Sequence, residues 1–226
     1  MKYIYLLSIL LCVSCQSRQQ VTSPTCTIDS TLQTNAIAIL GSKLSEVNAQ
    51  SGQVVVMEVQ SGQIKALVGL TKKDSTDYQS CENLSVWQST GLMHPISLLA
   101  ALETGKVRLS DRVDTGNGIY QVHGRELKDH NWHRGGYGEL TVQEGLAVSS
   151  NIAIYKTMEK AFGSNPQSCF DLLANMSYGK PDSITGIANL KPAHFITPKD
   201  NNWTKTAFVW FSIGYNQQVS PIQILT

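Results

Sequence analysis

The stretch QVVVMEVQSGQIKALV (53–68) contains the clearest local fold in the sequence. Its two apolar runs, 53–59 and 64–68, are rich in β-branched residues and flank a short polar segment that contains Gly62. Strand-forming runs separated by a turn of this composition are typical of a β-hairpin. The sequence therefore predicts an antiparallel strand pair near the start of the domain.

Helices are predicted on both sides of this hairpin. Between residues 30 and 48 apolar side chains recur every three to four positions, which predicts a helix with one buried face. The segment HPISLLAALETG (94–105) has Pro95 near its start and Gly105 at its end. Since its apolar residues lie nearly all round, we expect this second helix to be buried.

The second half of the chain alternates loops with short helices. Residues 111–138 are rich in Gly, Asp, Asn and His and predict long surface loops, as do residues 179–206. TVQE (141–144) is a capping-box pattern that opens a short helix. After an interruption at residues 149–151, a second helix is predicted that ends at Gly163.

The composition restricts the class of protein. The chain has 226 residues, of which 42% are hydrophobic and 15% charged, which suits one folded domain. Its 18 basic and 17 acidic residues give a formal net charge of +1. Because nucleic-acid-binding proteins usually carry a basic excess, we expect no nucleic-acid partner. No apolar run reaches the roughly 18 residues of a membrane-spanning helix.

The N-terminus predicts export and lipid attachment. Residues 1–14 have a basic start and a short apolar core, as in a secretory signal peptide. The sequence CVSC (12–15) resembles the lipobox of bacterial lipoproteins, so Cys15 is the predicted lipidation site and residues 15–26 a polar tether. A plain signal peptide or a short anchor is the alternative interpretation. The domain itself spans residues 27–226.

Three further cysteines, Cys26, Cys81 and Cys169, have no spacing typical of a zinc site. The sequence leaves their disulfide pairing open. A metal could bind instead to residues of the loop-rich region, namely His123, Asp129, His130 and His133. We expect the three histidines to be solvated loop residues and predict no metal and no cofactor.

Several blocks, taken together, carry a family resemblance: GQVVVM (52–57), PISLLAALE (95–103), DTGNG (114–118), DHN (129–131), SSNIA (149–153) and SIGY with VSPIQ (212–223). With these blocks the chain resembles the transpeptidase domain of class B penicillin-binding proteins, the cell-division and elongation type. The resemblance implies an α+β fold, in which a mixed sheet is flanked by helices. It also implies serine-type D,D-transpeptidase chemistry, in which acyl transfer cross-links peptidoglycan stem peptides.

That chemistry needs three motifs, S-x-x-K, S-x-N and K-T-G. Aligned on Pro95, the resemblance places the nucleophilic serine at Gly91 and the general-base lysine at His94, so the first motif is absent. The second motif is intact, with Ser149 and Asn151 as the relic of the site, although helix capping also explains these residues. His94 could act as a base, but capping of its helix is the simpler prediction.

The third motif is missing before Thr226. Near this end, FVWFSI (208–213) predicts a short apolar strand and SPIQILT (220–226) the start of a helix. In the family K-T-G lies further on, which implies a fold that lacks its last strands. The alternatives are a fragment, a degenerate gene product, or a sheet completed by another chain.

The departures from the catalytic motifs predict a catalytically inactive domain. The N-terminus predicts that this domain is lipid-anchored and faces the cell envelope. It would bind peptidoglycan stem peptides or β-lactams non-covalently, or divisome or elongasome proteins. Two alternatives remain at this point: an active, penicillin-acylated transpeptidase with a displaced serine such as Ser89, and a non-functional remnant.

Overall fold

The computed structural model describes residues 26–74, 77–80, 90–179 and 193–225. The predictions for the signal peptide, Cys15, Cys81 and Ser89 lie outside these residues. Within the described ranges, none of the helices combines the length and the hydrophobicity needed to cross a lipid bilayer.

Helix α1 (Ser30–Glu46) begins at Asp29, whose side chain accepts a hydrogen bond from the backbone nitrogen of Leu32 at 2.8 Å. Its inner face includes Leu40 and the buried Leu44, and it packs against the strands that follow. The predicted N-terminal helix is thereby confirmed.

The predicted hairpin is also confirmed. Strand β1 (Ser51–Met57) pairs antiparallel with β2 (Ile64–Lys72), and β3 (Tyr78–Ser80) pairs with the other edge of β2. Ala66, Val68 and Leu70 alternate along β2 and are buried, as the two-residue period of a strand requires. These three strands form a sheet, and α1 packs against one of its faces.

Helix α2 (Met93–Glu103) lies at the centre of the main hydrophobic cluster. Six of its eleven residues are buried, so the prediction of a buried helix is confirmed. The buried Ser97 donates a hydrogen bond from its Oγ to the backbone oxygen of Ser212 at 2.7 Å. This contact ties the helix to the C-terminal part of the chain.

The prediction of structureless loops over residues 111–138 is wrong. This region holds β4 (Arg112–Asp114), β5 (Ile119–Val122), β6 (Arg125–Lys128) and, just after it, β7 (Glu139–Thr141). Strands β5 and β6 form a hairpin, and β4 pairs with β7. His123 and Gly124 connect β5 to β6 with φ values of 48° and 75°, as in the two-residue turns that suit strand twist.

The two helices predicted after this region are confirmed as α3 (Val142–Ala147) and α4 (Asn151–Phe162). Thr141 and Glu144 form the predicted capping box at the start of α3. The buried face of α4 packs against α2 in the main cluster and against β5 and β6 in a second cluster. Helix α4 therefore joins the two halves of the core.

The C-terminal part contains α5 (Gln167–Asn175), β8 (His194–Phe195), α6 (Lys205–Ser212), β9 (Gln217–Gln218) and α7 (Pro221–Leu225). The predicted strand at 208–213 is wrong, because this run belongs to α6. Short apolar runs fit a buried strand or a buried helix equally well. Here Ser212 donates its Oγ hydrogen bond to the oxygen of Phe208, one helical turn back. The helix predicted from Ser220 and Pro221 is confirmed as α7.

Candidate active site

The start of α2 brings His94 against the junction between α3 and α4. His94 is 2% exposed, and its Nδ1 lies 3.0 Å from the Oγ of Ser149, 55 residues further along the chain. The prediction that His94 caps its own helix is wrong. The N-cap position is Leu92, no side chain caps α2, and the imidazole reaches across to Ser149 instead.

Ser149 takes its position from the end of α3. Its backbone nitrogen donates to Leu146 and that of Ser150 donates to Gly145, which is the Schellman arrangement of a helix C-terminus. In this arrangement Ser149 occupies the left-handed position, with φ of 54°. Its side chain stays at the surface while the next residue, Ser150, is fully buried.

Capping of α4 is the role of Ser150 rather than of Ser149 or Asn151. The Oγ of Ser150 accepts a hydrogen bond from the nitrogen of Ala153 at 3.0 Å. Asn151, the first residue of α4, donates its Nδ2 hydrogen bond to the backbone oxygen of Lys128 at 2.8 Å. Helix capping, the alternative role that the sequence allows for Ser149 and Asn151, therefore does not explain their side-chain contacts.

Gly91 lies in the short turn that precedes α2. A Cβ atom built on Gly91 would lie 3.7 Å from the Oγ of Ser149, at ordinary van der Waals separation. A side chain at position 91 would thus point towards the Ser149 hydroxyl. The structure brings Gly91, His94 and Ser149 together.

Burial sets the protonation state of His94. It lowers the pKa of His94 below the ordinary value, because the charged imidazolium loses its hydration. The neighbouring Asn151 side chain and the Asp129 carboxylate act in the opposite direction and remain the smaller influences. The imidazole is therefore neutral at pH 7. No hydrogen-bond partner of normal geometry reaches its buried Nε2 from the described residues.

Asp129 organises this site, a role that sequence reasoning missed. It is fully buried, and its carboxylate accepts hydrogen bonds from the Oγ of Ser150 at 2.8 Å and from the nitrogen of Ile152 at 3.0 Å. The only signal in the sequence is its place directly after a strand in the DHN block. Its two oxygens fix the first turn of α4.

The alternative metal site is not supported. Within the described residues no three His, Cys, Asp or Glu side chains come together as ligands. The Asp129 carboxylate is engaged at the start of α4, and the Nε2 of His130 lies 2.9 Å from the hydroxyl of Tyr137. His123 lies in the turn between β5 and β6.

A cavity of about 190 Å³ lies beside α4, away from these residues. None of these residues lines it, and two of its charged groups, Lys160 Nζ and Asp111 Oδ2, form an ion pair at 2.8 Å. Nothing in its lining resembles a reactive group.

A family model described as the penicillin-binding protein transpeptidase domain matches residues 52–226. The chain belongs to this family. Like the structure, this match supports the α+β fold that the sequence predicts, with helices packed around a sheet. The position of the transpeptidase nucleophile at Gly91 and of its lysine at His94 stays a prediction.

The curated relatives of this transpeptidase domain are longer proteins. It is 24% identical over 205 residues to the peptidoglycan D,D-transpeptidase FtsI of Escherichia coli K12, covering 87% of this chain and 33% of that protein. It is 25% identical over 205 residues to the probable peptidoglycan D,D-transpeptidase PbpC of Pseudomonas aeruginosa, covering 87% of this chain and 34% of that protein. The chain thus spans about a third of the length of these relatives.

Two solved structures resemble the transpeptidase domain in fold. One is a peptidoglycan glycosyltransferase from Burkholderia ambifaria, with a TM-score of 0.73 and 24% identity over 88% of this chain and 58% of that one. The other is the transpeptidase domain of Burkholderia pseudomallei penicillin-binding protein 3, with a TM-score of 0.72 and 24% identity over 89% of this chain and 56% of that one.

Proposed function

We propose that this domain has lost the D,D-transpeptidase activity of its family and acts by binding peptidoglycan stem peptides non-covalently. One observation carries the proposal: Gly91 faces the Ser149 hydroxyl beside His94, where the family motif would have a serine and a lysine. A glycine has no nucleophilic atom. An acyl-enzyme therefore cannot form at this position.

The remaining polar groups suit binding. Ser149 presents an exposed hydroxyl, and Asn151 presents an amide that is held against Lys128. Side-chain hydroxyl and amide groups on fixed helix termini can hydrogen-bond to the backbone of an extended peptide. Stem peptides and β-lactams are the ligands that the family resemblance suggests for them.

The predicted signal peptide and the lipidation at Cys15 would place this domain at the cell envelope. Stem peptides are found there, as are the divisome and elongasome proteins that are its proposed partners. The likeness to peptidoglycan transpeptidases supports this location.

The test is the affinity of the purified domain for a synthetic stem pentapeptide that ends in D-Ala-D-Ala, measured by calorimetry. We expect saturable binding that weakens in Asn151→Ala and is unchanged in Asn165→Ala, an exposed asparagine outside the site. Binding that is absent, or equal in both variants, would contradict the proposal.

Two further measurements separate the alternatives. A non-functional remnant predicts a protease-sensitive chain without a cooperative unfolding transition, whereas a binding domain predicts a single transition. An active enzyme with a displaced serine predicts cross-linked or shortened peptide after incubation. We expect the pentapeptide to be recovered intact.

A further inference from the structure

Ser149 and His94 have the geometry of a nucleophile and its base. The Ser149 Oγ lies 3.0 Å from the Nδ1 of His94, within the range in which a hydroxyl donates its proton to an imidazole. The serine is exposed and the histidine is buried. An incoming molecule can thus reach the hydroxyl, and the buried base is held directly beside it.

We propose that Ser149, activated by His94, reacts with short-chain acyl esters and hydrolyses them slowly. This inference goes beyond the proposed binding function, because it adds a reaction at the same cleft without restoring peptide cross-linking. It uses the serine of the second motif as the nucleophile in place of the residue missing at position 91.

The backbone at Ser149 does not by itself indicate this role. Ser177 ends α5 in the same way: it has φ of 64°, its nitrogen donates to Ala174, and the next nitrogen donates to Leu173. Left-handed serines at helix ends therefore occur twice in the described residues. Only the hydrogen bond between Ser149 and His94 distinguishes the first from the second, among the contacts that the structure describes.

The surroundings fit a small acyl group. A Cβ at position 91 would lie 3.7 Å from the Ser149 Oγ, and among the described residues, its chain neighbours apart, no other atom comes within 4 Å of it, so the glycine leaves room in front of the hydroxyl. The N-terminus of α2 lies at the same point, and no side chain caps it. The dipole of this helix favours the negative charge that develops on a carbonyl oxygen under attack.

The proposed reaction has two steps. Ser149 Oγ attacks the acyl carbon and its proton passes to His94 Nδ1. His94 then gives this proton to the leaving oxygen as the bond between that oxygen and the acyl carbon breaks, so that the alcohol departs and the imidazole is neutral again. Water then attacks the acyl-serine and gives a proton to His94, which returns one to the departing Ser149 oxygen. The net reaction is ester plus water to carboxylic acid plus alcohol. The Nε2–H tautomer of His94 is the reactive form.

The probe is p-nitrophenyl acetate, with release of nitrophenol followed by absorbance and acetylated residues located by peptide mapping after an acid quench. We expect an acetyl group on Ser149 and a rate that is constant above pH 6.5 and falls below it. Protonation of His94 removes the base at low pH. Asp129 is the charged group that acts on His94 from the segment before α4, and Asn151 is its other polar neighbour.

Three variants test the assignment. Ser149→Gly suits the left-handed backbone, so it should fold as stably as the parent yet react only at the background rate. His94→Asn keeps a polar atom near Ser149 without a base and should slow the reaction roughly 100-fold. The matched control Ser177→Gly should leave the rate unchanged.

An unchanged rate in Ser149→Gly, or acetylation that maps only to other residues, would overturn the inference. Because this assay contains no stem peptide, its failure leaves the binding proposal untouched. If the pentapeptide does not bind, the reaction with p-nitrophenyl acetate still decides whether Ser149 is reactive.

Discussion

The Oγ of Ser150 donates a buried hydrogen bond to the Oδ2 of Asp129 at 2.8 Å. The other carboxylate oxygen of Asp129 accepts from the backbone nitrogen of Ile152. Asp129 directly follows β6, and the two residues that it holds flank Asn151 at the start of α4. This contact therefore fixes the helix that carries one wall of the candidate site.

Asp129→Asn should lower the free energy of unfolding by about 2 kcal/mol, because hydrogen bonds to a buried charged group are among the stronger ones. An asparagine can accept only one of the two hydrogen bonds and turns a donor towards the other. Urea denaturation measures the loss. The control Asp171→Asn, at an exposed position on α5, should change stability by less than about 0.5 kcal/mol. Equal losses in both variants would contradict the role given to Asp129.

Gly91→Ser should fold with a stability within about 1 kcal/mol of the parent. Among the described residues outside its immediate chain neighbours, the new Cβ meets the Ser149 Oγ alone, at 3.7 Å. Gly136→Ser makes the contrasting variant, because φ at Gly136 is 73° and a Cβ there would collide with the backbone of Asn117 and Gly118. It should cost about 3 kcal/mol or more. Thermal unfolding of the two variants tests whether position 91 has room for a side chain.

The stability of the domain should fall as the pH falls below 6.5. Burial lowers the pKa of His94 in the folded state, so the unfolded chain binds more protons in the window between that lowered pKa and 6.5. Stability is complete above this window and is lost as the pH descends through it, by at most about 1.4 kcal/mol per pH unit. Unfolding free energies at pH 7.5 and 5.5 measure the slope.

His94→Asn should flatten this pH dependence, and His123→Asn, at an exposed turn, should retain it. The same slope in all three proteins would show that His94 is not the group responsible.

Cys169 should resist alkylation in the folded protein. It is fully buried in the main cluster, and burial raises the pKa of its thiol to about 12, so almost no thiolate is present at pH 8. Cys26 is exposed, and both cysteines are free thiols in the structure. Peptide mapping after brief iodoacetamide treatment should show modified Cys26 and unmodified Cys169. Similar labelling of both without denaturant would contradict the packing around α5.

The sequence predicts those parts of the fold whose signals are local. The hairpin of β1 and β2, the Pro95 start of α2 and the Thr141–Glu144 capping box all depend on residues close together in the chain. The β5–β6 hairpin was missed because its strands are four residues long and β6 is mostly charged. The apolar run in α6 predicts a strand because nearly all of its residues are apolar and buried, so the sequence shows no alternation of apolar and polar residues with the period of a helix.

The site was predictable as positions rather than as interactions. Pro95 anchors the alignment from which the nucleophile is predicted at Gly91 and the base at His94, and in the structure both residues lie beside Ser149. The hydrogen bond between Ser149 and His94 joins residues 55 apart in the chain, so no local pattern contains it. The hydrogen bonds of Asp129 to Ser150 and Ile152 also join residues that are distant in the chain.

The central claim is our proposal that this domain no longer forms an acyl-enzyme with β-lactams. Its most direct test is the intact mass of the folded protein after incubation with benzylpenicillin, followed by peptide mapping. We predict a mass identical to that of the untreated protein, with any bound penicillin removed by dialysis. A stable mass increase of one penicillin on any serine would contradict the loss of β-lactam-type acyl transfer.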